Sequence, residues 1–263
     1  MPYVHGYANE ELNRLTGSAD TLQHLLHRDV VYPKDALVLE AGCGVGAQTR
    51  HLLHNSPGIR LVSVDIARKS LARAQQTAGD HEVAFIQADL HHLPFFEASF
   101  DHIFICFVLE HLPDPGEVLL RLKPLLKPGG TITAIEGDHG SAFFHPETKA
   151  AVAAWRCLQQ LQLHTSGDGH IGRRLYELFR HSGADSIHVT PLPVYCDPSL
   201  PHMMKGFADK TIVGMLKGIE AEVLARKMIP PETWHQGIND LLDLSQSNNG
   251  SFSYTFFRVV AGY

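Results

Sequence analysis

Ala36–Thr49 reads ALVLEAGCGVGAQT, and the organisation of the chain can be traced outward from it. Ala36, Leu37, Val38 and Leu39 form an apolar run up to Glu40, and a glycine loop at Gly42, Gly44 and Gly46 comes directly after. Gln48 to His54 then reads as a helix. A buried strand, a loop of bare backbone and a helix N-terminus make a seat for a nucleoside-bearing ligand. Glycine lets the main chain approach such a ligand because it carries no Cβ. Gly42, Gly44 and Ala47 also satisfy the G-x-G-x-x-G/A dinucleotide spacing, so the loop alone leaves the nucleoside undecided.

Downstream, strand-like and helix-like segments alternate, the pattern of a mostly parallel sheet with right-handed crossovers. Arg60–Asp65 (RLVSVD) predicts a second strand ending in an acid, and Ala67–Ala78 a helix with Ala67, Leu71, Ala74 and Ala78 on one face. Glu82–Gln87 and His102–Phe107 predict the third and fourth strands. Asp114-Pro115-Gly116-Glu117 supplies an N-cap, a proline at N1 and a glutamate at N3. Pro124 should kink or end that helix. Lys127–Gly130 turns the chain into a fifth strand, Thr131–Glu136. Helices are expected over Glu147–Leu163 and Arg173–His181, the second stopped by Gly183. Ser186–Thr190 and Tyr254–Val260 read as closing strands. Between them, Pro191–Asn249 carries three helical patterns: Met203–Ile219, Ala221–Met228 and Glu232–Leu244. That is too long for a hairpin connection, so it is read as an inserted cap. Asn9–Arg28, with a stripe of Leu12, Leu15, Ala19, Leu22 and Leu26, predicts one more helix.

The segments after the third strand decide between the nucleosides. Ala88-Asp89-Leu90, Leu93-Pro94-Phe95 and Ser99-Phe100-Asp101 stand in order, succeeded by Cys106–Leu112 (CFVLEHL) and Leu122–Gly130 (LKPLLKPGG). With the acid and glycine loop, this ordered set resembles the class I S-adenosylmethionine (SAM)-dependent methyltransferases across roughly Ala36–Gly137; Pro124 departs from the pattern. The resemblance implies a seven-stranded, mostly parallel Rossmann-like α/β sheet in the order 3-2-1-4-5-7-6. Residues 1–29 would be an N-terminal helical lid, 30–190 the SAM-binding core, 191–250 a helical cap inserted before the last strand, and 251–263 that strand. It also implies SAM as cofactor and S-adenosylhomocysteine as product. Asp89 would bond the adenine amino group, and a main-chain carbonyl at Cys106–Phe107 would meet the amino group of the methionine moiety. Asp65 stands where a carboxylate accepts from both ribose hydroxyls, a position that also suits a helix cap. Glu40, Gly42, Gly44, Gly46, Gln48, Thr49, Ile66, Leu90 and Tyr3 complete the expected cofactor set.

Methyl transfer from a sulfonium is an in-line displacement, so alignment in a dry pocket matters most, and a base is needed only for an acceptor that loses a proton. Ile135–Ser141 (IEGDHGS), expected at the exit of the fifth strand, offers Glu136 and His139 as a carboxylate–imidazole pair. Tyr3-Val4-His5-Gly6-Tyr7 reads either as a frayed terminus or as a lid whose rings cover the cofactor, with His5 and Tyr7 toward the acceptor. YVHGY together with EGDHG resembles small-molecule methyltransferases of secondary metabolism, including indole C3-methyltransferases. In that setting Glu136 and His139 would take or steer the indole N–H proton. Lys210 and Thr211 are the cap residues expected to reach the acceptor.

Composition bounds the alternatives. The 263 residues are 44% hydrophobic and 19% charged, as in a globular protein with a sizeable core. A formal net charge of −6 and no Lys/Arg run argue against a nucleic-acid partner. The partner is expected to be a small-molecule acceptor, and the chain a monomer or homodimer. Four scattered cysteines without a C-x-x-C suit free thiols in a reducing compartment. With neither a signal-like N-terminus nor an apolar span, the expectation is cytoplasmic, away from membranes. Eighteen histidines include pairs such as His24/His27 and His51/His54, but none has a third ligand at zinc spacing, so no metal is expected.

Overall fold

In the sheet of this computed structural model the strand order is β3-β2-β1-β4-β5-β7-β6. The structure describes the backbone from Asn9 to Tyr263 and side chains from Arg14; Tyr3, His5 and Tyr7 lie outside the described residues. Strands β1 (Leu37–Ala41), β2 (Arg60–Asp65), β3 (Val83–Gln87) and β4 (Phe100–Cys106) are parallel, with Leu39 in register with Val62 on one side and Ile103 on the other. A central parallel strand is covered on both faces, which is why β1 is a continuous apolar run. Val38, Leu39 and Ala41 are fully buried.

Helices α1 (Asn9–Leu26), α2 (Thr49–Asn55), α3 (Arg68–Ala78) and α4 (Pro115–Leu122) lie close to their sequence-based bounds. Asp114 caps α4, its carboxylate accepting the Glu117 N–H at 2.9 Å. Pro124 is accommodated where α4 gives way to a single 3-10 turn, Lys123–Leu125. α5 (Lys149–His164) and α6 (Ile171–His181) come after β5 (Leu126–His145), and Gly183 ends α6 at φ +74°.

The sheet is more extensive than the sequence suggests. β5 continues through Gly137-Asp138-His139 to His145, so the segment expected at the strand's exit lies within it. Its polar side chains carry no strand signal, yet Asp138 and His139 are buried and Ser141 Oγ bonds the backbone of Thr255. β6 (Ser186–Cys196) runs on through Pro191 and Pro193, which an edge strand tolerates because half its N–H groups need no ladder partner. β7 (Ser251–Gly262) is antiparallel to β5: Tyr263, just past its end, exchanges backbone hydrogen bonds with Gly129 and Gly130, at the start of β5.

The inserted region is also rearranged. The first two helical patterns merge into one run: α7 (Pro201–Met203), a π-helix (Met204–Val213) and α8 (Gly214–Ala225). The break falls later, where Lys227 takes φ +53° and Pro230 precedes α9 (Pro231–Gln246).

The chain divides into two compact units. One takes the described residues up to 22, with 138–169 and 193–255; the helical cap expected over 191–250 falls largely in it. The other takes 23–137, 170–192 and 256–263. The second unit's core includes Leu39, Ile103, Ile105, Leu119, Leu122, Ile132 and Phe179, from strands and from helices that cover them. Among the described residues no helix is long and apolar enough to cross a membrane.

Candidate active site

The ends of β1, β2, β3 and β4 carry the cofactor candidates of the second unit, at the edge where open α/β sheets bind ligands. Gly42, Gly44 and Gly46 all have positive φ: +80°, +53° and +75°. Each needs glycine for a different reason. A Cβ on Gly42 would lie 2.5 Å from Val108 Cγ2, and one on Gly46 would lie 2.9 Å from the Ala74 backbone. One on Gly44 would meet nothing within 4 Å, so the loop's central residue is bare backbone facing open space.

Asp65 is tied to that loop. Its Oδ2 accepts the Gly44 N–H at 2.9 Å and its Oδ1 the Ala67 N–H at 2.8 Å. Burial raises its pKa, and the Ala67 and Gly44 amides oppose the rise. Asp65 thus caps the turn into α3, and each oxygen keeps a lone pair for another donor. Next to it Ile66 is 58% exposed, an apolar side chain at a strand end. Asp89 is half-buried and accepts the His91 N–H through Oδ1, with Leu90 buried beside it in the chain.

Behind the loop, Glu40 Oε2 accepts from Thr49 Oγ1 and Ser63 Oγ, both at 2.7 Å. Oε1 is buried with no hydrogen-bond partner among the described residues. Burial pushes this carboxyl up to about 7 against the two hydroxyl bonds, with the Asp65 charge adding to the rise. Gln48 Oε1 is bonded by His27 Nε2 at 2.6 Å. The side chains of Glu40, Gln48 and Thr49 therefore brace the loop from within the protein.

At the end of β4, Cys106 is buried and Phe107 adopts φ +57°. A non-glycine residue is held in that region only when its surroundings over-determine it. Here Glu136 does so: its Oε1 accepts the N–H groups of Val108 at 2.9 Å and Leu109 at 2.8 Å. Glu136 is fully buried, and burial, then the nearby Glu110 charge, raises its pKa well above the carboxylate range.

The carboxylate–imidazole pair expected of Glu136 and His139 is not formed. Residues three apart on an extended strand point to opposite faces. Glu136 is engaged by the turn after β4, whereas in the first unit His139 Nδ1 bonds Tyr254 Oη at 2.8 Å. Three backbone bonds also fix His139: its N–H donates to Gly169 O at 2.7 Å, and its carbonyl accepts from Trp155 Nε1 and Gln159 Nε2. Its ring meets Trp155 edge-on, centroids 5.5 Å apart. Of the cap candidates, Lys210 is exposed, and Thr211 is buried with its hydroxyl bonded to Ser18 and to the Gly206 carbonyl.

Residues 39–134 match the family described as a methyltransferase domain. That segment holds the glycine loop, Asp65, Asp89 and Phe107. That segment matches as a methyltransferase domain, and the sheet has the class I methyltransferase fold. The chain is 31% identical over 143 residues to malonyl-[acyl-carrier protein] O-methyltransferase of Pseudescherichia vulneris, covering 47% of this chain and 55% of that one. It is 32% identical over 99 residues to demethylmenaquinone methyltransferase of Thermotoga maritima, covering 38% and 42%. The matched stretch spans 24% to 55% of the length of such curated relatives. In fold the chain is similar to a Haemonchus contortus phosphoethanolamine N-methyltransferase 2 bound to S-adenosylhomocysteine, with TM-score 0.58, 16% identity, and coverage of 92% of this chain and 52% of that one.

The residues of the methyltransferase domain fit SAM. The uncovered backbone at Gly44, the remaining lone pairs of Asp65, the exposed Ile66 and the half-buried Asp89 stand after β1, β2 and β3 with donors, acceptors and an apolar surface of the kind a nucleoside needs. Sequence reasoning missed Tyr254, Trp155 and Gln159, which lie far from His139 in the chain. It also missed His27, whose bond to Gln48 no local motif announces.

Proposed function

We propose that this chain transfers a methyl group from SAM to a small aromatic or heteroaromatic acceptor, with C3 of an indole as the specific instance favoured by the YVHGY and EGDHG segments. The observation that carries the reading is the bare Gly44 backbone bonded to Asp65 at the carboxyl ends of β1 and β2. When bound, SAM supplies an electrophilic methyl on a sulfonium. Asp65 and Asp89 hold the sugar and the base, and Ile66 and Leu90 flank them. Glu136 positions the Cys106–Leu109 turn, whose main chain orients the methionine end. His139, its Nδ1 bonded to Tyr254, presents Nε2 as the proton acceptor for an acceptor molecule that must lose a proton. Tyr3 would cover the cofactor, and His5, Tyr7, Lys210 and Thr211 belong to the acceptor side of this reading.

Methylation of nitrogen or oxygen in another small metabolite is the rival reading. Quinone and acyl-carrier relatives, as their names state, show that similar domains serve varied acceptors. The net charge of −6 speaks against nucleic acid, four buried free thiols suit a reducing compartment such as the cytoplasm, and a monomer or homodimer belongs to the same reading. Incubation with methyl-labelled SAM and an indole panel tests the proposal. Label should pass to an indole, and His139→Ala should lower turnover at least tenfold while S-adenosylhomocysteine affinity changes less than twofold. No transfer to any aromatic or heteroaromatic compound, or equal loss of turnover and cofactor affinity, would overturn it.

A further inference from the structure

Gln162 lies on α5 with 1% of its surface exposed, and neither its carboxamide oxygen nor its nitrogen has a hydrogen-bond partner among the described residues. Leaving both ends of a buried amide unpaired is destabilising, and an apolar side chain of similar volume would avoid it. The neighbouring buried positions of the helix, Leu158 and Leu161, are apolar. A carboxamide kept at such a position points to a ligand rather than to packing.

The surroundings of Gln162 strengthen this reading. A Cβ added to Gly169 would run into Gln162 Oε1 and would lie 2.7 Å from His139 Cδ2. The carboxamide and the imidazole edge therefore press on the same bare α-carbon. Cδ2 is bonded to Nε2, so the carboxamide stands by the edge of the ring that does not meet the Tyr254 hydroxyl. Trp155 and Tyr254 lie against His139 with ring centroids 5.5 and 5.9 Å away, and Phe207 packs against Tyr254 at 5.9 Å between centroids. Phe207 comes from the π-helix, a form found often at functional sites. Gln162 and the aromatic rings carry no charge, so a phosphate or ammonium headgroup would find no counter-ion among them. A carboxamide offers one acceptor and two donors, the complement of an N–H beside a carbonyl.

We propose that Gln162, next to His139, recognises the acceptor through a neutral donor–acceptor edge of the lactam or amide type on a flat ring. This rests on the methyltransferase reading above and narrows its substrate class. Calorimetric titration of the protein with S-adenosylhomocysteine, then with 2-oxindole, indane or phosphoethanolamine, tests it. Saturable 2-oxindole binding is expected, with indane at least tenfold weaker, because a site built to hydrogen-bond rejects the analogue that cannot. Gln162→Met should bind S-adenosylhomocysteine normally, bind 2-oxindole at least tenfold more weakly, and melt at the same or a higher temperature. Gly169→Ala, whose methyl would push the two groups aside, should show the same ligand pattern.

Equal binding of indane and 2-oxindole, tighter binding of phosphoethanolamine, unchanged 2-oxindole affinity in Gln162→Met, or a lower melting temperature in that variant would each overturn the assignment. Binding of S-adenosylhomocysteine without 2-oxindole sinks this inference alone. Failure of S-adenosylhomocysteine to bind the wild type sinks the methyltransferase reading as well.

Discussion

Glu136 Oε1 accepts the backbone N–H of Leu109 at 2.8 Å, joining β5 to the turn at the end of β4. The same oxygen takes the Val108 N–H, so one carboxyl group satisfies two amides directly after the left-handed Phe107. Glu136→Ala would strand both, at about 1–3 kcal/mol for each buried group left unpaired. Urea denaturation should show that loss, and S-adenosylhomocysteine affinity should fall with it. Glu136→Gln retains an acceptor oxygen and is expected to keep most of both. If Glu136→Gln abolishes turnover while stability and cofactor affinity hold, Glu136 carries protons and the positioning role is wrong.

The three loop glycines should separate by substitution. Gly42→Ala places a methyl against Val108, 2.5 Å from Cγ2, at φ +80°, and is expected to destabilise the fold by more than about 2 kcal/mol. Gly44→Ala meets no neighbour and loses only what its φ of +53° costs, about 1 kcal/mol. Its methyl stands in the open space that the proposed function assigns to the cofactor, so it should weaken S-adenosylhomocysteine binding more than tenfold. Thermal melts and calorimetry on the two variants check the contrast.

Glu40 makes stability depend on pH. Its pKa is about 7 in the fold against 4.5 ordinarily, burial being the main cause. The folded state therefore holds the proton more tightly, and the stability linked to this group is complete below pH 4.5 and is lost as the pH rises through 7. Glu40→Gln cannot ionise, and its oxygen can still accept from Thr49 and Ser63. The variant should gain on the wild type between about pH 5 and 8, by up to about 3 kcal/mol at about 1.4 kcal/mol per pKa unit. Parallel denaturation curves across that range would contradict the assignment.

Tyr254→Phe removes the hydroxyl at His139 Nδ1 and leaves the aromatic packing in place. The bond contributes about 1 kcal/mol to stability, but its larger effect should be on the imidazole's tautomer. Turnover is expected to fall and the pH–rate profile to shift, with S-adenosylhomocysteine affinity unchanged. A variant with wild-type turnover and an unmoved profile would remove Tyr254 from the chemistry.

By itself, the sequence determined the cofactor half of this protein. Apolar β1, the glycines and the acids at Asp65 and Asp89 are local signals, because a parallel strand buried on both faces leaves an unbroken apolar run and a positive-φ loop demands glycine. Tertiary structure alone decided the rest. Whether Glu136 and His139 face each other depends on how far β5 extends, and that extension comes from pairing with β7, far along the chain. Burial supplies what composition hides: Asp138 and His139 look like loop residues, and Gln162 looks like a surface amide. Each is enclosed only because distant segments fold over it, and no periodicity in the chain encodes those long-range contacts.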